Sequence, residues 1–271
     1  MGTSFENKIL DLKEKKEISF ELLSYIFNEA SDEEKEYLFS TAQKIAQSVF
    51  GKNVYLRGLI EFTNYCKNDC YYCGIRCSNK NASRYRLSKD EILSCCDKGA
   101  QLGFQTFVLQ GGEDPYYTDD LVCEIVSSIK KAHPSCAVTL SIGEKSYESY
   151  KRFYDAGADR YLLRHETANE EHYAMLHPAS LSGAHRKQCL RDLKKIGYQV
   201  GCGIMIGTPH QTVKNIYEDI LFMQDLQPHM IGIGPFIAHK DTPFKDQPNG
   251  SVGETLLLLA ILRIQIGRAH V

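Results

Sequence analysis

From Val54 to Gly234 the chain alternates between short runs rich in β-branched and aromatic residues and longer stretches with apolar residues at helical spacing. The runs Val54–Phe62, Phe104–Gln110, Cys136–Ser141, Arg160–Leu163, Gln199–Ile206 and Met230–Gly234 are predicted to be strands. The stretches between them are predicted to be helices, one opened by the capping box Ser88-Lys89-Asp90-Glu91. Gly-Ala-Asp before Arg160 and Ile-Gly-Tyr before Gln199 are short enough to turn a helix directly into a strand. Repeated strand–helix units imply parallel strands with helices outside, so the predicted α/β architecture is a TIM-type (β/α) barrel with six units present. A doubly wound sheet would place a glycine-rich phosphate turn after a strand, and no such string follows any of them.

Residues 1–50 follow another pattern. Ser31-Asp32-Glu33-Glu34 forms a capping box, Leu38, Ala42, Ile45 and Val49 recur at helical spacing, and Gly51 closes the segment. This predicts an N-terminal helical segment outside a barrel that occupies residues 51–265.

Polar residues gather just after each strand. Asn64 and a group of cysteines follow the first, Gly111-Gly112-Glu113-Asp114 the second and Gly143-Glu144 the third. Arg164-His165-Glu166-Thr167, Gly207-Thr208-Pro209 and Pro235 to His239 follow the rest. In a barrel those loops share one face, where catalysis sits.

The first of these loops carries Cys66, Cys70 and Cys73 at C-x3-C-x2-C spacing. A closed zinc site or a fully ligated iron–sulfur cluster takes four thiolates, so three on a four-iron cubane leave one iron open to substrate. A zinc site completed by a distant ligand, and three ordinary buried cysteines, are the alternatives. Cys77 would complete a four-thiolate set, but no proline follows it as in the bacterial ferredoxin run, and it is read as a bystander. Cys95, Cys96, Cys123, Cys136, Cys189 and Cys202 lie among apolar residues and are read as core.

The remaining composition narrows the class. The 271 residues carry a net charge of −2, which leaves no basic footprint for nucleic acid or anionic lipid. The apolar run Leu256 to Leu262 is too short to span a bilayer, and Met1 to Glu6 is no secretory signal. Cytoplasmic localisation is the expectation, with ten cysteines serving as thiols and metal ligands rather than disulfides.

Taken together these residues resemble the radical S-adenosylmethionine (SAM) superfamily, in which C-x3-C-x2-C follows the first barrel strand and an aromatic residue, here Tyr72, precedes the last cysteine. Within it, Arg57 to Asn64, Gln110 to Tyr117, Arg160 to Asn169, Ile231 to Ile237 and Asp241-Thr242-Pro243 resemble the HydE-type maturases of FeFe-hydrogenase, from about residue 50 to about residue 262. The resemblance implies a 4Fe-4S cluster on Cys66, Cys70 and Cys73, with the open iron chelated by SAM. One electron then splits SAM into methionine and a 5′-deoxyadenosyl radical. It implies that Tyr72 meets adenine, that Gly111, Gly112 and Glu113 meet the methionine amino group, and that Glu166 accepts ribose hydroxyls. Arg186 would pair with the SAM carboxylate, Arg164 would face an anionic substrate group, and Ser141 would line the cavity. The implied partners are a small-molecule or organometallic substrate, a low-potential electron donor and other hydrogenase maturases, in an anaerobic cytoplasm, with neither nucleic acid nor membrane. His210, Ala238 and Lys240 depart from the family pattern, standing where it has a glycine and two prolines.

A related radical SAM enzyme such as methylornithine synthase or biotin synthase is the alternative reading, and a non-catalytic iron–sulfur protein with four cysteine ligands is the alternative from another class. The family pattern also continues through two further strand–helix units. Residues 266–271, Ile-Gly-Arg-Ala-His-Val, match what a common sequencing adapter encodes in frame and are read as a non-native tail. A six-strand part-barrel is expected to be poorly soluble or inactive, because it exposes two sheet edges.

Overall fold

A computed structural model describes residues 3–267. Six parallel strands form one sheet in sequential order: β1 (Gly58–Thr63), β2 (Thr106–Gly111), β3 (Ala137–Ser141), β4 (Arg160–Leu162), β5 (Gln199–Ile206) and β6 (Met230–Pro235). The crossovers run through α4 (Lys89–Gln101), α5 (Asp119–Ala132), α6 (Tyr147–Asp155), the pair α7 (Glu170–Leu176) and α8 (Gly183–Ile196), and α9 (Val213–Leu226). Among the described residues β1 and β6 each keep one unpaired edge, so this is the open, six-unit form of the barrel.

Three helices precede the sheet, α1 (Ser4–Lys15), α2 (Phe20–Asn28) and α3 (Asp32–Phe50), and α10 (Val252–Ile266) follows it. Both anticipated capping boxes form: Ser31 with Glu34 opens α3, and Ser88 with Glu91 opens α4. The N-terminal helices pack on the outer helices, α3 and α1 on α10 and α2 on α9. Phe20 meets the Tyr217 ring edge-on at 5.7 Å, and Lys16 Nζ donates to the Ile264 carbonyl at 2.9 Å. Their buried residues, among them Leu12, Leu23 and Leu38, join the same hydrophobic core as the strands. Helix α10 is apolar around most of its circumference because it lies between α3 and β6.

The structure corrects two expectations. Val54, Tyr55 and Leu56 are not in the first strand and stand 83, 60 and 71% exposed. The ladder to β2 begins only at Gly58, opposite Phe107, so the earlier residues lie outside the strand pairing despite their β-forming composition. Cys95 is exposed and Cys123 half-buried, whereas Cys96, Cys136, Cys189 and Cys202 are buried as expected. The stretch read as helical after the fourth strand is divided between two helices, α7 and α8. Of the tail read from Ile266, Ile266 ends α10 and Gly267 caps it, while residues 268–271 lie outside the described residues.

Strands β5 and β6 approach closely at paired glycines. A Cβ on Gly203 would sit 2.0 Å from the Gly232 carbonyl oxygen, with backbone rather than a movable side chain in its way. Gly203→Ala is therefore expected to destabilise the fold by about 2 kcal/mol, read by chemical denaturation. Gly253→Ala in the exposed first turn of α10, where a Cβ meets only Ser251 Oγ at 3.5 Å, should leave stability unchanged or raised.

Candidate active site

The cysteines occupy the loop from Asn64 to Leu87, which leaves β1 and returns beside it through a bridge between Thr63 and Arg86. Such a loop has little regular structure, so side chains must satisfy its backbone. Arg84 does most of this. Its guanidinium donates to the carbonyls of Asn64, Ile75, Arg76 and Asn79. Asn64 closes the mouth of the loop, donating to Ser83 O at 2.7 Å and accepting from Tyr85 N at 2.8 Å. Asp69 pairs with Arg76 and accepts from Ser78 N, and the Arg76 hydrogen bond holds its carboxyl well below the usual carboxylate range.

The double glycine after β2 sets how near the loop can come. A Cβ on Gly112 would lie 2.2 Å from the Tyr65 carbonyl oxygen and 2.7 Å from Cys66 Cβ. Only hydrogen fits there. From the same segment Glu113 O accepts from Lys67 N at 2.9 Å, and Lys67 Nζ lies 3.3 Å from Glu113 Oε2. The far side of the loop is covered by the segment after β6, where Phe244 meets Tyr71 edge-on and the His239 ring lies against Gly74.

A cavity of about 440 Å3 opens at the C-terminal ends of β1 to β4. Tyr72, Cys73, Gly111, Ser141, Arg164, Glu166 and Arg186 all line it. Cys66, Cys70, Gly112 and Glu113 stand behind that wall. Cys70 feels the charges of Glu166 and Arg186, and Glu113 Oε1 lies 4.0 Å from Arg186 Nη2 while accepting from Glu144 N. Cys77 is exposed and its N–H donates to Asn68 O, which sets it apart from the half-buried three. His210, in the position the family pattern gives to glycine, adopts the left-handed φ of 65° that glycine favours.

Burial pushes the free Cys66 and Cys73 thiols up and takes Cys70 to about 12. A bound metal's positive charge would convert them to thiolates. Glu166 is buried with φ 64°, held by its N–H to the Gly203 carbonyl, and burial raises its carboxyl against the pull of Arg164, Arg186 and His165. Its Oε2 has no hydrogen-bond partner. A buried acceptor facing a cavity calls for a ligand donor. Burial alone would lower Arg186; Glu144 on its Nε and the other negative groups around it overcome that and raise it. Arg164's guanidinium makes no hydrogen bond or ion pair among the described residues. Three thiols on one loop, glycines that let the backbone approach it, an unpaired acceptor and two arginines fit an iron–sulfur cluster with a charged, hydroxyl-bearing cofactor.

A second cavity of about 360 Å3 lies at the opposite ends of the strands beside Arg57, Arg160 and His229. It contains no thiol or carboxylate, so the chemistry belongs to the first.

Two contributors escaped the sequence reading. His177 donates through Nδ1 to Tyr173 O at 3.0 Å, accepts from Tyr72 OH at 3.1 Å and stacks on Tyr173. Glu144 shares Arg186 with the cavity. His177 stands in no motif; Glu144 was visible only as a polar residue following a strand.

Known proteins agree with this geometry. The profile of the radical SAM superfamily matches residues 60–223. The FeFe-hydrogenase maturase subunit HydE of Thermotoga maritima is 42% identical over 97% of this chain and 75% of its own length. The 3-methylornithine synthase of Methanosarcina acetivorans is 31% identical over 86% of this chain and 66% of its own length. The crystal structure of a methylornithine synthase superposes with a TM-score of 0.88 at 28% identity, covering 98% of this chain and 77% of that one. The chain belongs to the radical SAM superfamily of enzymes and, within it, to the family of the HydE maturase. That membership implies a 4Fe-4S cluster and SAM in general terms.

Two predictions follow from this geometry. Gly112→Ala should displace Tyr65 and Cys66 and cut the iron retained after anaerobic reconstitution severalfold, measured by iron and sulfide content. Burial lowers His177 from 6.5 to about 4, so the folded protein keeps it neutral where the unfolded chain would protonate it. Stability from this group is full above pH 6.5 and is lost as pH falls from 6.5 towards 4. His177→Gln should flatten that part of the pH–stability curve, measured by denaturant unfolding at several pH values.

Proposed function

We propose that this enzyme reductively cleaves SAM at a 4Fe-4S cluster held by Cys66, Cys70 and Cys73, and that it acts in maturation of the FeFe-hydrogenase active-site cluster. The observation that carries the reading is the single cavity wall that joins Cys73 and Tyr72 to Glu166 and Arg186. When bound, the cluster supplies the electron that breaks SAM's sulfonium carbon–sulfur bond. The protein's part is to bind, orient and exclude water. Arg186 presents a charged fork to the SAM carboxylate, Glu113 and the Gly111-Gly112 backbone meet the amino group, and the Glu166 acceptor takes ribose hydroxyls. With its hydroxyl engaged by His177, Tyr72 offers ring and backbone to adenine. Arg164 and Ser141 face the remaining volume, where an anionic, small-molecule or organometallic substrate would sit. The electron donor would be a low-potential protein, and the other hydrogenase maturases would be working partners.

The likeness to methylornithine synthase supports a second reading, a carbon-skeleton rearrangement begun by the same radical. Higher identity to HydE over almost the whole chain favours the first.

The test is electron paramagnetic resonance of the anaerobically reconstituted, reduced protein with and without SAM. A SAM-induced change in the cluster signal is expected, and an unchanged signal overturns the reading. Cys77→Ala should keep the SAM-responsive signal, whereas alanine at Cys66, Cys70 or Cys73 should abolish it. Arg186→Lys should weaken SAM binding roughly 10- to 100-fold, since a point charge replaces a charge-assisted fork.

A further inference from the structure

Beside the cavity wall, Glu144 from the loop after β3 meets His185 and Cys189 from α8, with one ligand atom of each within 4.8 Å of the others. His185 and Cys189 are four residues apart on a helix, which puts both on one face. His185 Nε2 lies 3.6 Å from Cys189 Sγ and 3.6 Å from Glu144 Oε2. A tetrahedral ion with bonds of about 2.0–2.3 Å spaces its ligands by about 3.3–3.8 Å, so both separations are already near those of a bound state. Glu144 divides its carboxylate, with Oε1 holding Arg186 Nε and Oε2 turned to His185. The Cys189 thiol is buried, with Lys145 O at 3.9 Å and the Tyr150 hydroxyl as a hydrogen-bond neighbour, whereas the His185 side chain is 60% exposed and opens the group to solvent.

We infer that Glu144, His185 and Cys189 form a binding site for a zinc-class divalent cation, with water in the fourth position, and that its occupant is coupled to Arg186 through Glu144. On binding, Cys189 loses its proton to solvent, and the resulting thiolate and the carboxylate balance the two positive charges. Imidazole and thiolate favour zinc or cobalt over magnesium or calcium. A cation on Oε2 draws charge from the carboxylate that occupies Arg186 on Oε1, so occupancy should leave more of Arg186's charge for an anionic group of the cofactor and strengthen its hold. The metal site is independent of the function proposed above, and only the coupling rests on that reading of Arg186.

The probe is cobalt(II), titrated anaerobically into the cluster-loaded, desalted protein, whose other metal-binding thiols are then occupied. The expected result is one equivalent bound, a thiolate-to-cobalt charge-transfer absorption in the difference spectrum, and displacement by zinc. His185→Ala, at an exposed position that leaves packing intact, should weaken binding at least ~10-fold, and Cys189→Ser should remove the thiolate band. Circular dichroism melts of both variants verify folding. Equal cobalt uptake by wild type and His185→Ala, or uptake without the thiolate band, overturns the site. For the coupling, zinc should lower the SAM dissociation constant of wild type severalfold and leave that of His185→Ala unmoved. Cobalt uptake with SAM affinity unmoved overturns the coupling and leaves the site standing.

Discussion

The loop that carries the three thiols has almost no secondary structure, yet its shape would have to be fixed to within a bond's tolerance were the three sulfurs to share one cluster as proposed. The buried carboxylate of Asp114 supplies that constraint. It accepts from Thr63 Oγ1 at 2.8 Å, where β1 ends, and from Arg86 Nε and Nη2 at 2.7 and 2.9 Å, where the loop returns. Burial would raise this carboxyl, but Arg86, the Tyr116 N–H and Thr63 outweigh it and hold the group below its ordinary value. Arg86 is itself flanked by the Tyr65 and Tyr116 rings, at 3.8 and 4.8 Å. One charge thus ties the exit and re-entry of the loop to the end of β2. Removing it would leave Thr63 and Arg86 without their shared acceptor beneath the thiols.

Charge on the cavity wall is balanced rather than accumulated. Arg164 and Arg186 face Glu166, with Glu113 and Glu144 behind Arg186. Each buried charge is costly alone and tolerable in company. Glu166 is the least compensated: its Oε2 has no partner, and burial raises its carboxyl. The left-handed backbone at Glu166 sharpens the point, because the fold spends conformational energy to hold an unsatisfied acceptor against the cavity. Such a residue is better explained by a ligand than by stability. Glu113 differs, since its Oε1 accepts from Glu144 N and braces one strand end against the next.

Much of this was legible in the chain because period and spacing are local. Strand β5 matches its predicted limits of Gln199–Ile206, and the boxes at Ser31 and Ser88 form as read, since each is decided by residues within one turn or one strand. The start of β1 was not legible. Val54 to Leu56 are good strand formers, but pairing depends on where β2 lies, which is information at a distance. Cys95 misled for a similar reason: neighbouring Cys96 is buried on α4, and one residue of helical rotation turns Cys95 outward. For His177 the relevant fact is a hydrogen bond to Tyr72, more than a hundred residues earlier. A short motif can carry cluster ligands, but not the side chains that come to brace them.

The strands also divide the labour of the cavity. Its lining comes from β1 to β4, the loops that follow them and Arg186 of α8. Strand β6 instead brings glycines at positions 232 and 234, which two-residue periodicity puts on the same face. A Cβ on Gly232 would come within 3.5 Å of Arg164 Nε, so that face looks towards the cavity, and a Cβ on Gly234 would meet nothing within 4 Å. The volume beside Arg164 therefore exists because β6 presents backbone where another sequence would present side chains. In a superfamily that shares the first step of its chemistry, selectivity must come from the space that receives the radical. Here that space adjoins Arg164, which has no hydrogen bond or ion pair among the described residues. On the function proposed above, the β1-to-β4 side would serve the common cofactor, and the β6 side would leave room for the molecule on which it acts.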